Sequence, residues 1–98
     1  MLHIVNKSPA QANALQSCLR TARDGHAILL IEDAVYAAAT AGMDSGLEQS
    51  LKRLKVYALL PDLEARGMAR RCIDGIETVD YGGFVDLVAA QPTCQSWL

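Results

Sequence analysis

Four short apolar runs punctuate the chain, at residues 2–5, 27–31, 56–60 and 76–79, and each is followed by a stretch with helical spacing. The runs are rich in β-branched or aromatic residues. The middle two lack the alternation of a half-exposed strand and read as strands buried on both faces of a parallel sheet. Strand then helix at intervals of about 25 residues makes right-handed βαβ crossovers the simplest topology. The pattern predicts a small three-layer α/β domain, flavodoxin-like, with a mostly parallel sheet of about four strands flanked by helices.

Between the runs, capping residues predict where the helices begin and end. Ser8, Pro9 and Gln11 form an N-cap, a first-turn proline and the partner of a capping box, so the first helix starts there and runs to about Arg23, where Asp24-Gly25 turns into the next strand. Ala12, Leu15, Leu19 and Ala22 make its buried stripe, with Cys18 on the flank. Asp33 is expected to cap a short alanine-rich helix over 34–40, ended by Gly42. Ser45 and Glu48 form a second capping box ahead of the stripe Leu47, Leu51, Leu54, with Glu48 four residues before Lys52. Residues 62–66 form a short helix closed by Gly67, and residues 70–72 a further turn before Asp74-Gly75. Asp80 caps a last helix with Phe84, Val85, Leu87 and Val88 on its apolar face and Pro92 after it. The tail, 93–98, is assigned no element.

The chain has 98 residues, of which 51% are hydrophobic and 20% charged, which suits one domain over 1–98. A domain this small buries little more than ~60% of the surface its unfolded chain exposes, so apolar surface is left for a partner subunit. Nine Lys and Arg against eleven Asp and Glu give a net charge of −2, with Arg70-Arg71 the densest basic pair. That excludes a dedicated binder of nucleic acid or anionic membrane, which needs basic charge to displace counterions. The longest apolar stretches, 27–31 and 34–39, fall far short of the ~20 residues of a membrane helix. Residues 1–7 lack a basic leader and a long apolar segment, so a cytoplasmic location is expected.

Three cysteines, Cys18, Cys72 and Cys94, are an odd number at wide spacing, fitting neither a disulfide framework nor a zinc site. Reduced thiols are expected, and Cys72 and Cys94 read as structural or incidental. Spacing alone also makes Cys18 structural: it lies mid-helix, away from the dipole, and its i±3 and i±4 neighbours carry no positive charge. Glycine-rich phosphate loops are absent and His3 and His26 have no partners at metal-ligand spacing, so no nucleotide, flavin or metal cofactor is expected. His3 reads as a satisfied core or interface histidine and His26 as a turn residue. Because ligands of open parallel sheets meet the carboxyl ends of the strands, the loops at 6–8, 32–33, 61–62 and 80–83 are candidate binding positions. Glu32 and Asp33 are paired carboxylates suited to acid/base work or a divalent metal, but a helix cap at Asp33 and a solvated Glu32 is the preferred reading.

Several blocks together carry a resemblance. Residues 1–9 (MLHIVNKSP), 29–38 (LLIEDAVYAA), 56–59 (VYAL), 62–67 (DLEARG), 80–87 (DYGGFVDL) and 95–97 (QSW) resemble the DsrH/TusB family, in order and over nearly the whole chain. That resemblance implies a DsrEFH-like fold and a cytoplasmic subunit of a heterohexameric persulfide-relay complex, built from two copies of three related α/β subunits. Its partners would be sister subunits like DsrE and DsrF, or TusC and TusD, together with a small sulfur-carrier protein like DsrC or TusE. In the DsrH branch the relay serves dissimilatory sulfur oxidation; in the TusB branch it serves thiolation of the tRNA wobble uridine. The main sulfur-binding cysteine lies in a sister subunit in both.

The DsrH branch has a cysteine in its first helix where this chain has Cys18, and the enteric TusB pattern lacks it. The match favours the sulfur-oxidation branch and makes Cys18 the candidate catalytic residue, a persulfide carrier; the alternatives are a TusB-type subunit and a non-catalytic scaffold subunit. Where the family pattern suggests glycine after the Glu-Asp pair, this chain has Ala34, so the turn there is expected to be helical rather than left-handed. A relay role requires Cys18 to be partly exposed at a subunit boundary and activated from outside its helix, with Lys7, Arg20 or a sister-subunit residue as candidates. Val35, Tyr36 and Leu98 are expected to be apolar surface awaiting that partner.

Overall fold

The computed structural model describes residues 1–8, 13–39 and 47–97. Five strands, β1 (Leu2–Val5), β2 (Ala27–Leu30), β3 (Lys55–Leu59), β4 (Glu77–Val79) and β5 (Cys94–Trp97), form one sheet in the order β4-β3-β2-β1-β5. All four pairings are parallel. The four apolar runs supply β1 to β4, and the fifth strand is the tail that carried no expected element. Only Trp97 in β5 is even partly buried, so neither an apolar run nor an alternation marks it.

The register lines up one row of side chains, Trp97, Val5, Leu30, Ala58 and Thr78, on one face of the sheet, and the row Ser96, Ile4, Leu29, Tyr57 and Glu77 on the other. The first face is deeply covered. Helix α1 (Ala14–Thr21) sets Leu15, Cys18 and Leu19 against Val5, Ile28 and Leu30, and Leu47, Leu54, Leu63 and Val35 close the same core. The second face carries a smaller cluster, Leu2, Ala27 and Leu29, beneath Phe84 and Leu87 of α5 (Tyr81–Ala90).

Helix α5 splits its expected apolar face. Phe84 and Leu87 pack on the sheet while Val85 and Val88 point outward, and Tyr81 and Val85 are each 63% exposed. Its cap is as expected: Asp80 Oδ1 accepts from the Gly83 N–H at 2.7 Å. Val35 is fully buried, so it is core and not partner surface.

Helix α1 ends at Thr21, two residues early, and its distal carbonyls find an unforeseen partner. The Arg53 guanidinium donates to Leu19 O at 2.8 Å and to Ala22 O at 2.7 Å, a cap delivered from the segment before β3. Of the start expected at Ser8, Pro9 and Gln11, Ser8 is described and buried, while Pro9 and Gln11, the stop at Gly42 and Ser45 of the second capping box lie outside the described residues. Helix α2 (Tyr36–Ala39) is preceded by a 3-10 turn, Glu32–Val35, and α3 (Leu47–Ser50) is one turn long. Helix α4 (Leu60–Ala65) opens on Pro61 and ends in a Schellman motif: the Gly67 N–H donates to Glu64 O at 3.1 Å, the Met68 N–H donates to Leu63 O at 2.8 Å, and Gly67 takes φ 68°.

Candidate functional site

Three of the loops singled out at the carboxyl ends of the strands, after β1, β2 and β3, do converge. The turn after β2 places Glu32 at φ 50°, a left-handed conformation that L side chains rarely take. That bend aims the Glu32 N–H at Asp62 Oδ2, 2.6 Å away on α4. Glu32 Oε2 accepts from Asn6 Nδ2 at 3.5 Å, leaving Asn6 Oδ1 buried without a partner among the described residues. Ala34 sits in the 3-10 turn, fully buried, as a helical turn requires; the left-handed residue is Glu32, two positions earlier.

Asp33 does not cap the following helix. Its Oδ1 accepts from Arg66 Nε at 3.1 Å and Nη2 at 2.9 Å, and Arg66 also donates to Asp62 O at 3.1 Å and lies 5.9 Å from the centre of the Tyr36 ring. The hydrogen bond to Asp33 leads the effects that hold the Arg66 proton more firmly than usual. The cluster is therefore an ion-paired knot tying the end of β2 to α4, with Arg66 paired to Asp33 and Asp62. Among the described residues, no three His, Cys, Asp or Glu side chains gather to hold a metal ion. An open cleft of about 450 Å³, lined by Glu64, Gly67, Ala69, Arg70 and Arg71, lies past the end of α4, apart from that knot.

Cys18, the candidate persulfide carrier, is fully buried and not partly exposed as its role requires. The α1 stripe turns it inward among Leu15, Leu19 and the sheet, so it belongs to the core stripe and not its flank. Burial pushes its thiol up to about 12, with no cation acting to lower it. Arg20 and Lys7 are exposed, and the Arg20 guanidinium donates to Ser17 Oγ at 3.4 Å. At pH 7 the buried Cys18 is held as the thiol, a poor nucleophile. Cys72 is partly buried and pushed up by burial and then by Asp74; Cys94 is exposed on β5.

The arrangement that sequence reasoning missed lies on the deeply covered face. Trp97 Nε1–H donates to His3 Nδ1 at 3.1 Å, and His3 Nε2 lies 3.1 Å from His26 Nδ1, which also accepts from the Arg23 N–H at 3.2 Å. His3 is buried and satisfied, as expected, and the turn histidine is its partner. The sequence held no signal for this chain of contacts, since Trp97 and His3 stand 94 positions apart.

The match to the family described as DsrH like protein spans residues 7–93. A protein named TusB from Pectobacterium parmentieri is 36% identical over 97 residues, covering 99% of this chain and 100% of that protein. Another, from Enterobacter sp. (strain 638), is 38% identical over the same length and coverage. Among solved structures, the YchN protein of Escherichia coli superposes with a TM-score of 0.70 at 18% identity, covering 97% of each chain. A protein of unknown function, MTH1491 from Methanobacterium thermoautotrophicum, gives 0.71 at 15%, covering 97% of this chain and 95% of its own. Those two likenesses show a shared fold. The family match over residues 7–93 and the relatives that cover 99% of the chain place it in the DsrH/TusB family.

Proposed function

We propose that this chain is a non-catalytic subunit of a persulfide-relay complex that supplies sulfur for thiolation of the tRNA wobble uridine. The observation that carries the reading is the full-length similarity to proteins named TusB. It favours the tRNA branch over the sulfur-oxidation branch, which rested on Cys18 as a carrier. Burial of that thiol and its pKa of about 12 argue against it as the attacking group. Persulfide transfer needs a thiolate to attack the outer sulfur of the donor while the donor's inner sulfur leaves as a thiolate. In this reading the sulfur-carrying cysteine belongs to a sister subunit, and this chain contributes shape: the outward Tyr81, Val85 and Val88 of α5 supply apolar area for assembly into a heterohexamer.

Deleting the gene in its own bacterium and measuring wobble-uridine thiolation by mass spectrometry of total tRNA tests the proposal. Loss of the thiolated nucleoside, restored by the wild-type gene, is the expected result. Unchanged thiolation together with impaired oxidation of reduced sulfur compounds would return the reading to the other branch.

A further inference from the structure

The histidine pair stands where the last strand is fastened. Strand β5 lies at the edge of the sheet and pairs with β1 alone, and Cys94, Gln95 and Ser96 are exposed. Its attachments are the parallel ladder, the Leu2 N–H donating to Thr93 O at 3.0 Å, and the Trp97 side chain, which packs on the main core and donates to His3.

The hydrogen-bond chain sets the tautomers. An indole nitrogen only donates, so His3 Nδ1 is an acceptor and its proton sits on Nε2, pointing at His26 Nδ1. His26 Nδ1 accepts from two N–H groups, so its own proton sits on Nε2. Each ring is therefore neutral, and a second proton on either lands where only donors face it. We propose that the His3–His26 pair is an acid-sensitive latch: a second proton on His3, at Nδ1, breaks the bond from Trp97 and frees β5 from the sheet edge while the other strands stay in place.

The charged surroundings favour the same neutral state. Burial comes first in holding both rings below the ordinary histidine value of 6.5, followed for His3 by His26 and the Met1 ammonium, and for His26 by the Met1 ammonium and Arg23. Of the carboxylates nearby, Asp24 is 86% exposed and stands 3.7 Å from Arg53. Arg20 on α1 is occupied with Ser17, and Lys55 on β3 meets His26 through its backbone N–H, its side chain exposed. Among the described residues, no carboxylate is bonded to either ring to receive a histidinium. Release is local because β5 is held on one side only, by a single edge ladder, its indole and a small contact with α1, whereas β2 lies between β1 and β3.

Trp97 is the sole tryptophan of the sequence, so its fluorescence reports the latch directly. The full chain is titrated from about pH 8 to about pH 5, following Trp97 emission, the histidine ring signals by NMR and the amide exchange of β5 against β2. The expected result is a red shift whose midpoint lies below 6.5 and coincides with titration of the His3 ring. In acid, the protection factors of the β5 amides, taken relative to the intrinsic rate at each pH, should fall at least about tenfold, with β2 protection retained. His3→Gln keeps an acceptor for the indole but cannot titrate, and should flatten the fluorescence transition. Constant emission, a shift with no histidine titrating alongside it, β2 opening together with β5, or a His3→Gln chain that titrates like wild type would each overturn the proposal.

Discussion

At the scale of the residue, Cys18 shows how a family match and a physical environment can point in opposite directions. Its position in the first helix was readable; its rotation into the core was not, because flank and stripe differ by a fraction of a helical turn. The burial makes a definite prediction. Cys18→Ser leaves a buried hydroxyl in an apolar core and should cost about 1–3 kcal/mol in urea unfolding, whereas Cys18→Ala should cost about 1 kcal/mol. Glu32 offers the opposite case. Its left-handed backbone costs roughly 1–2 kcal/mol, and its exposed side chain gains little from a 3.5 Å contact with Asn6, so Glu32→Gly should raise stability by about 0.5–1 kcal/mol. The histidines add a pH dependence. Because both folded-state values lie below the ordinary 6.5, the unfolded chain binds protons first as the pH falls. Stability contributed by the neutral pair is complete above 6.5 and declines from there toward the folded values, so unfolding midpoints should fall on acidification through that window.

At the scale of the element, β1 to β4 and the end of α4 were legible because each is written in consecutive residues: an apolar run, or Pro61 and Gly67 in their places. Strand β5 was not, since Cys94, Gln95 and Ser96 carry no hydrophobic pattern and the strand is specified by its partner ladder and by the Trp97 to His3 contact. The carboxyl-end loops were located correctly, but Asp33 was assigned to a cap because its actual partner, Arg66, stands 33 positions away. Arg53 was passed over for the same reason: its carbonyl acceptors come from α1, more than 30 positions earlier. Removing that cap with Arg53→Met should lower stability by about 2 kcal/mol, read from the urea midpoint. Asp80→Ala, which removes the local cap of α5, should cost about 0.5–2 kcal/mol by the same measurement.

At the scale of the whole molecule, the two faces of the sheet are unequal. One is covered by α1 and α4 together with Val35, Leu47 and Leu54, and the other carries α5, whose outward residues Tyr81 and Val85 stay mostly exposed. No helix among the described residues is long and apolar enough to cross a membrane. On the proposed function a sister subunit covers that surface, and a division of labour follows: this chain would supply a sheet and an apolar helix face, and the reactive thiolate would come from elsewhere in the complex. Wobble-uridine thiolation in the deletion strain carrying Cys18→Ala tests that division most directly. The account predicts thiolated tRNA at the level given by the wild-type gene. Loss of thiolation, with the variant present at normal abundance and assembled with its partner subunits, would contradict it and return Cys18 to the relay.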